Sequence, residues 1–351
     1  MSIKITGLGS YIPNKVIANE DFENHSFLNI DGSNFKQNNK TIIKKFVAIT
    51  GIEERRYASE NLNTSDMAYV AAQRAIENAS CDPESIDYII VSHNFGDVKY
   101  GDGQADMIPS LASRVKQKLQ IKNPSCVAYD LIFGCPGWVE GVIQANAFIK
   151  AGIAKKCLVI GAESLSRVID PHDRDSMIYA DGAGASIIES TTEIGGIISH
   201  ETASFTLNEA NFIFNGKSYN ATADNTYFIK MHGRKIYEFA LTNVPLAMKK
   251  CLDESKFNIQ DINKILIHQA NEKMDEAIVK RFYQLFDMET PPQIMPMCIN
   301  KLGNSSVATV PTLYDLILKG NLHPHEINKG DVLLLASVGA GMNINAIVYQ
   351  H

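Results

Sequence analysis

The sequence predicts an α/β fold, in which a sheet is covered by helices on both faces. Three observations support this prediction. Apolar runs of strand length alternate along the chain with segments whose apolar residues recur at helical spacing. Several of the runs are apolar at every position, which is typical of strands buried on both faces of a sheet. The second half of the chain repeats the rhythm of the first.

The first half begins with an apolar strand and continues with helices that have clear start signals. Thr64-Ser65-Asp66 is a helix cap, and small apolar residues follow at helical spacing as far as Ala79. Residues 94–106 are rich in Gly and Asp and are predicted to form a loop. Ile108-Pro109 is predicted to open the next helix. In order, we expect strands at 3–8, 87–92, 127–133, 157–161 and 185–188, and helices at 41–47, 64–79, 108–119 and 136–150.

The second half, predicted to run from 196 to 351 after a first half of 1–195, has the same order of elements. Residues 206–229 are polar, contain turn pairs such as Asn215-Gly216, and are predicted to form a lid-like excursion. Gly339-Ala340-Gly341 is predicted to be a glycine turn between the last two strands. We expect strands at 195–200, 264–268, 332–336 and 343–349, and helices at 236–252, 273–286 and 307–318.

The composition argues against several classes of protein. A net charge of −6 argues against nucleic acid as the main partner. The N-terminal stretch lacks the apolar run of a signal peptide, and no segment reaches the roughly 18 apolar residues that span a bilayer. The six cysteines are scattered without CxxC spacing, which predicts reduced thiols in a cytosolic protein. We expect no metal and no cofactor.

The stretch from Tyr129 to Gly152 contains the first candidate for chemistry. An apolar run predicted to be a buried strand ends at Gly134-Cys135-Pro136-Gly137, and a helical pattern follows. A thiol in a tight turn before a helix lies near the positive end of the helix dipole, which favours the thiolate. This is the geometry of a nucleophile elbow. A buried, inert cysteine is the alternative, and it is the commonest fate of a free thiol.

His268 and Asn304 are the other candidates, because each follows a predicted strand. Either residue could have a purely structural role, His268 as a buried imidazole and Asn304 as a helix cap. Together with Cys135 they provide a thiol, a base and an amide. That set is what acyl transfer through a thioester needs, with the thiolate attacking and the other two stabilising an oxyanion.

These residues lie within motifs that extend from one end of the chain to the other. The motifs are GLGSYIP at 7–13, TGIEERR at 50–56, GCPG at 134–137, DGAGA at 181–185, HQAN at 268–271 and GNSS at 303–306. In order and spacing the chain resembles the β-ketoacyl-acyl carrier protein synthase III family, within the thiolase-like superfamily of condensing enzymes. The resemblance implies a duplicated five-layer αβαβα fold and a homodimer.

The resemblance also implies the chemistry. Cys135 would accept an acyl group from an acyl-CoA or acyl-carrier-protein thioester. His268 and Asn304, as neutral donors, would then stabilise the enolate of a malonyl- or β-ketoacyl-thioester for Claisen condensation. The main-chain N–H groups of Cys135 and Ala340 would form the oxyanion hole.

Several positions depart from the usual family pattern. The Trp and Arg that clamp the CoA adenine in typical members are replaced by Lys45 and Ile49, while Arg174 matches the third clamp residue. Ile108 stands where a partner-chain Phe closes the acyl tunnel, which implies a longer or wider pocket.

Three further positions concern the carrier. Arg234 stands where a smaller polar residue usually meets the pantetheine arm, and Glu238 where a basic residue usually helps to receive the carrier protein. Lys273 keeps some positive charge nearby.

These departures leave alternatives open. One is a specialised ketosynthase that condenses two acyl thioesters into cyclohexanedione or dialkylresorcinol lipids. A second is a binding-only subunit that pairs with a catalytic homologue, although Cys135, His268 and Asn304 are all present. A third is a thioester hydrolase or plain acyltransferase, which has less need of an amide beside the histidine.

Overall fold

The structure is a computed structural model that describes residues 2–222 and 226–351. The strands in that part of the chain are β1 (Ser2–Tyr11), β2 (Lys15–Ala18), β3 (Glu54–Tyr57), β4 (Tyr88–Ser92), β5 (Asp97–Val98), β6 (Ala105–Asp106), β7 (Val127–Leu131), β8 (Lys156–Ser164), β9 (Asp181–Thr191), β10 (Gly196–Ser204), β11 (Ile213–Lys217), β12 (Tyr227–Met231), β13 (Ile262–Ile267), β14 (Val332–Gly339) and β15 (Asn343–Gln350). The α-helices are α1 (Asn39–Thr50), α2 (Thr64–Asn78), α3 (Leu111–Lys118), α4 (Gly137–Lys150), α5 (Gly233–Asp253), α6 (Glu272–Gln284), α7 (Ile299–Leu302) and α8 (Thr309–Leu318).

Two sheets form the centre of the molecule. The first has the strand order β1-β9-β8-β4-β7, and the second has the order β10-β15-β14-β13. In the first sheet β1, β9 and β8 are antiparallel neighbours, and β4 lies parallel to β8 and to β7. In the second sheet β10, β15 and β14 are antiparallel neighbours, and β13 is parallel to β14. The first four strands of one sheet therefore match the four strands of the other in order and direction.

Helices separate the two sheets and cover their outer faces. Helices α4 and α8 contact strands of both sheets and lie between them. Helices α2 and α3 cover the outer face of the first sheet. Helices α5 and α6 pack against each other on the outer face of the second. The five-layer αβαβα fold is therefore confirmed.

The matching topologies pair the elements of the two halves. β4 corresponds to β13, α3 to α6 and α4 to α8, because each has the same place in the order of its half. A histidine follows each of the two paired strands, His93 after β4 and His268 after β13. The halves differ at one edge, since among the described residues no strand of the second sheet corresponds to β7.

One apolar core joins the halves. Trp138 and Val142 on α4 and Leu313 on α8 lie in one buried cluster with side chains of both sheets, among them Ile5 and Leu335. The boundary at 195–196 falls in the connection between β9 and β10. As a boundary between two domains it stays a prediction.

The strand before the cysteine differs from its prediction. The sequence predicted a buried strand at 127–133, whereas β7 ends at Leu131, lies at the edge of the first sheet and leaves Val127 exposed. An edge strand pairs with a neighbour on one side only. Its residues are therefore more exposed in a single chain than those of a central strand.

Two segments predicted to be irregular contain strands. Residues 94–106 include the short hairpin of β5 and β6. The polar stretch at 206–229 contributes to the hairpin of β11 and β12, whose pairs run from Ile213–Met231 to Lys217–Tyr227. Residues 223–225 of that stretch lie outside the described residues.

Candidate active site

Cys135 lies in the turn between β7 and α4, two residues before α4 begins at Gly137. This turn packs against the turn after β14. A Cβ on Gly134 would lie 2.7 Å from the Ala340 nitrogen, and a Cβ on Gly339 would lie 2.4 Å from the Cys135 nitrogen. Only glycine allows the two backbones to approach this closely. Both predicted oxyanion-hole residues consequently border one cavity.

His268 follows β13 and is buried. Its Nδ1 lies 2.7 Å from Thr309 Oγ1, and the Thr309 hydroxyl donates to the carbonyl oxygen of Ser306 at 2.9 Å. A hydroxyl has a single proton, so Thr309 accepts from His268 and Nδ1 holds the imidazole proton. Nε2 of the neutral ring then has a lone pair. In this tautomer Nε2 is an acceptor toward the cavity, whereas the donor role that the family resemblance implied stays a prediction.

Asn304 presents a donor. Its main chain is fixed on both sides, since its N–H donates to the Ile178 carbonyl at 2.9 Å and its carbonyl accepts from Ala180 N–H at 2.8 Å. Its side-chain Oδ1 accepts from Ser306 N–H at 2.8 Å. Because the oxygen is occupied, the Nδ2 group is left to hydrogen-bond a ligand in the cavity.

Cys135, His268 and Asn304 line the same cavity, of about 220 Å³. The structure therefore brings the three sequence-predicted residues together from three separate segments. Apolar side chains form most of the remaining wall, including Phe95, Leu165, Ile213, Phe214, Ile229, Met231 and Met342.

A second cavity, of about 390 Å³, continues from the first, because Met231, Ile236 and Met274 line both. Its other walls include four residues that the sequence analysis considered for carrier binding, namely Lys45, Ile49, Arg174 and Arg234.

Burial sets the charge state of the candidate nucleophile and base. Burial raises the pKa of the Cys135 thiol to about 11, opposed by a smaller lowering from the Ser306 hydroxyl. Burial lowers the pKa of His268 to about 4. The sequence predicted a thiol pKa lowered by the helix terminus, whereas the pKa is raised, because burial makes the largest contribution. At neutral pH the site holds a thiol and a neutral imidazole, so attack requires a base to take the thiol proton.

Sequence reasoning missed three residues around the cysteine. Ser306 Oγ lies 3.3 Å from Cys135 Sγ and 3.1 Å from Asn94 Nδ2. The same Asn94 amide donates to the buried carboxyl of Glu163. Ser306 belongs to the GNSS motif, which was a usable signal. Asn94 lies in a stretch whose shape no local pattern specified.

The other predicted binding residues are distributed differently. Arg174 lies 4.9 Å from the ring centre of Phe35. Arg234 is ion-paired with Glu238 at 2.9 Å, and its side chain is 91% exposed. These two arginines border the second cavity and not the first.

Lys273 and Ile108 do not line the cysteine cavity. Lys273 is paired with Glu276 at 3.1 Å. Ile108 is 89% exposed, and α3 begins after it at Leu111, because Ser110 caps the helix by accepting from Ser113 N–H. The predicted helix start at 108 is therefore three residues early.

Neither a candidate metal cluster nor a membrane-spanning helix is present within residues 2–222 and 226–351. No group of three or more His, Cys, Asp or Glu side chains there is arranged to hold a metal ion. No helix there is long and apolar enough to cross a membrane. All six cysteines are free.

Comparison with known proteins agrees with this geometry. The family 3-oxoacyl-[acyl-carrier-protein (ACP)] synthase III matches residues 129–205, and the C-terminal family of the same enzyme matches residues 252–351. The β-ketoacyl-[acyl-carrier-protein] synthase III of Staphylococcus haemolyticus is 32% identical, covering 100% of this chain and 99% of its own. The Ehrlichia canis protein of the same name is 34% identical, with 96% of each chain covered.

A solved structure agrees with these relatives. The β-ketoacyl-[acyl carrier protein] synthase III of Thermus thermophilus superimposes with a TM-score of 0.81 at 29% identity, covering 99% of each chain. The comparisons do not favour a specialised pigment-lipid branch or a binding-only subunit. The chain belongs to the β-ketoacyl-[acyl-carrier-protein] synthase III family and is a condensing enzyme of the acyltransferase class.

Proposed function

We propose that Cys135, His268 and Asn304 are the catalytic residues of this condensing enzyme, with Cys135 as the acyl acceptor. The observation that supports this most directly is their convergence on one buried, largely apolar cavity. Each presents a different chemical group there: a thiol, an imidazole lone pair and an amide N–H.

In the loading step the Cys135 sulfur attacks the carbonyl carbon of an acyl thioester. His268 Nε2 accepts the thiol proton as the new carbon–sulfur bond forms, so no free thiolate has to accumulate. A carbon–sulfur bond to Cys135 forms as the bond to the carrier sulfur breaks. His268 then returns the proton to the departing carrier thiolate. The N–H groups of Cys135 and Ala340 stabilise the oxyanion between these events.

In the condensation step a malonyl thioester enters and loses CO₂. Asn304 Nδ2 donates to the enolate oxygen. His268, whose Nδ1 proton is committed to Thr309, has only a lone pair at Nε2. That lone pair and the apolar wall both disfavour the malonyl carboxylate but not neutral CO₂. The enolate carbon bonds to the acyl carbon as the bond from that carbon to Cys135 breaks. The released Cys135 thiolate then takes a proton from solvent and returns to the thiol.

An acyl carrier protein is the proposed source of the acyl and malonyl groups. Lys45 and Ile49, both exposed, replace the residues that usually clamp the CoA adenine. Neither side chain has an aromatic ring that could stack on the adenine as Trp does. The remaining clamp residue, Arg174, is engaged with Phe35. A carrier protein presents the same pantetheine arm without needing an adenine site.

A homodimer and a cytoplasmic location complete the proposal. The edge strand β7 leaves Val127 exposed, and Ile132 and Ile108 near the same edge are 61% and 89% exposed. Pairing of two β7 strands would cover the unpaired edge.

Introducing Val127→Lys should shift the protein from dimer to monomer in analytical ultracentrifugation, and an unchanged sedimentation coefficient would contradict pairing through this edge. The six free thiols support the compartment.

The test of the nucleophile is intact-protein mass spectrometry. The protein is mixed with acyl-CoA and acyl-carrier-protein thioesters of various chain lengths, beside a Cys135→Ala variant and a Cys298→Ala control. The expected result is a mass gain equal to one acyl group, lost only in Cys135→Ala and greatest with the carrier-protein donors. Acyl transfer that persists in Cys135→Ala would overturn the assignment.

A further inference from the structure

Ser306 connects all three proposed catalytic residues, although the mechanism above assigns it no role. Its hydroxyl lies 3.3 Å from Cys135 Sγ. Its N–H donates to Asn304 Oδ1 at 2.8 Å. Its carbonyl oxygen accepts from Thr309, the hydroxyl that in turn accepts from His268. Each polar group of this one residue therefore leads to a different member of the site.

The backbone of Ser306 is in a conformation that a serine seldom adopts. Its φ is +53°, in the left-handed region that favours glycine. A side chain held there costs free energy, and such positions persist only where the surroundings fix them. Here the hydrogen bonds to Asn304 and Thr309 hold the main chain in this conformation, with the hydroxyl 3.3 Å from the sulfur.

The direction of the hydrogen bond to the sulfur follows from counting protons. Asn94 Nδ2 is a donor only, and it lies 3.1 Å from Ser306 Oγ. Ser306 Oγ therefore accepts from Asn94, which leaves its own proton for Cys135 Sγ. A donated hydrogen bond stabilises the thiolate relative to the thiol. The pKa of Cys135 is indeed lowered by this contact, although burial raises it more.

Glu163 determines which way the Asn94 amide faces. The carboxyl of Glu163 is 1% exposed and accepts from Asn94 Nδ2. The NH₂ group of Asn94 thus faces two oxygen atoms, Glu163 Oε1 and Ser306 Oγ, and donates to both. The contacts thus run in one direction, from Asn94 to Ser306 and from Ser306 to Cys135.

We propose that Ser306 is a further catalytic residue, whose hydroxyl donates a hydrogen bond to Cys135 Sγ and so stabilises the attacking thiolate. Asn94 and Glu163 are positioning residues that orient this hydroxyl. The inference rests on the proposed role of Cys135 as nucleophile. It gives the buried carboxyl of Glu163 a function, since the carboxyl touches no proposed reacting atom itself.

The test measures the thiol directly and needs no acyl substrate. The rate of Cys135 alkylation by iodoacetamide is followed from pH 6 to 10 by peptide mass spectrometry. Ser306→Gly removes the hydroxyl and fits the positive φ without strain. Ser305→Ala is the matched control, because it removes the neighbouring serine hydroxyl. Far-UV circular dichroism checks that each variant is folded.

The expected result is a displacement of the rate–pH line by about one unit toward higher pH in Ser306→Gly. That corresponds to alkylation roughly tenfold slower at pH 8, as for a lost hydrogen bond to a charged group. Ser305→Ala should follow the unaltered protein.

Asn94→Asp tests the direction of the chain independently. The new carboxylate accepts from Ser306 and withdraws its proton from the sulfur, so the line should move at least as far as in Ser306→Gly. A rate–pH line unmoved in both variants would overturn the role of Ser306. No labelling of Cys135 in the unaltered protein would instead overturn the proposed nucleophile, so the two failures are distinguishable.

Discussion

The two halves of the molecule place a histidine at the same point of the same topology but use it differently. His93 follows β4 and His268 follows β13, the corresponding strand. His93 accepts from Gly96 N–H at Nδ1 and contacts Asp130 Oδ2 at Nε2, 2.9 Å away. His268 is bonded through Nδ1 to Thr309 and leaves Nε2 for the cavity.

The difference lies in what the Nε2 atom of each histidine contacts. Asp130 also accepts from the N–H groups of Leu111 and Ala112, so in the first half a carboxylate joins the histidine to the start of α3. No such carboxylate is bonded to His268 among the described residues. Duplication of a fold therefore duplicates positions and not roles, since a role depends on which neighbours each side chain meets.

The largest expected effect separates the two histidines. His268→Gln should slow acyl loading roughly 10²- to 10⁴-fold, as expected for loss of a general base. His93→Gln should leave the rate within a few-fold but lower the free energy of unfolding by about 1–3 kcal/mol, because buried partners lose hydrogen bonds. Loading kinetics and urea denaturation of both variants test this, and the reverse pattern would contradict the comparison.

The next effect separates the nucleophile of the first half from the amide of the second. Asn304→Ala removes the proposed donor to the enolate, so condensation should slow roughly 10²- to 10³-fold. Acyl loading onto Cys135 should fall much less, because that step uses the main-chain N–H groups. The rate of acyl loading onto Cys135 and the steady-state rate of condensation are measured separately. An equal loss in both steps would show that Asn304 is structural or serves both.

A smaller effect concerns the hydroxyl that fixes the His268 proton. Thr309→Val keeps the side-chain shape but removes the acceptor at Nδ1, so the ring is free to hold its proton on either nitrogen. We expect loading to slow about tenfold, the value of one lost hydrogen bond to a group that gains charge. Thr312→Val, at another buried threonine of α8, is the control. Equal rates in both variants would contradict a role for Thr309 in holding the His268 proton on Nδ1.

The smallest effect contrasts the buried titratable groups of the two halves. Burial raises the pKa of Glu163 to about 8 and lowers that of His268 to about 4. Between pH 4.5 and 8 the folded protein holds a Glu163 proton that the unfolded chain has lost, so this group's contribution to stability falls as pH rises. For His268 the sign is opposite, and stability is lost as pH falls from 6.5 to about 4.

Glu163→Gln removes the first of these dependences. Between pH 7 and 8, the unfolding free energy of the unaltered protein should fall by about 1 kcal/mol relative to the variant. Urea denaturation at the two pH values measures the difference. Parallel changes in the two proteins would mean that Glu163 is ionised throughout this range.

The sequence by itself determined the layered fold and the three residues at its centre. Strand-length apolar runs and helical spacing are local properties, so the main elements were predicted close to their observed bounds. Cys135 and His268 were found because each lies in a distinctive motif at the end of a predicted strand. Asn304 was found through the GNSS motif, although in the structure it follows helix α7 and not a strand. Glycines at 134 and 339 signalled tight turns, and in the structure those turns touch each other.

Only the tertiary structure decided the protonation of the site residues, the direction of their hydrogen bonds and the exposure of β7. A pKa depends on burial and neighbours from distant segments, so the local dipole argument gave the wrong direction for Cys135. The edge position of β7 depends on which strands pair, and an apolar run does not specify this. Ser306, Asn94 and Glu163 are far apart in sequence, and their contacts with Cys135 follow from the packing of both halves. Hydrogen-bond direction is a property of such a network and is therefore invisible to any single motif.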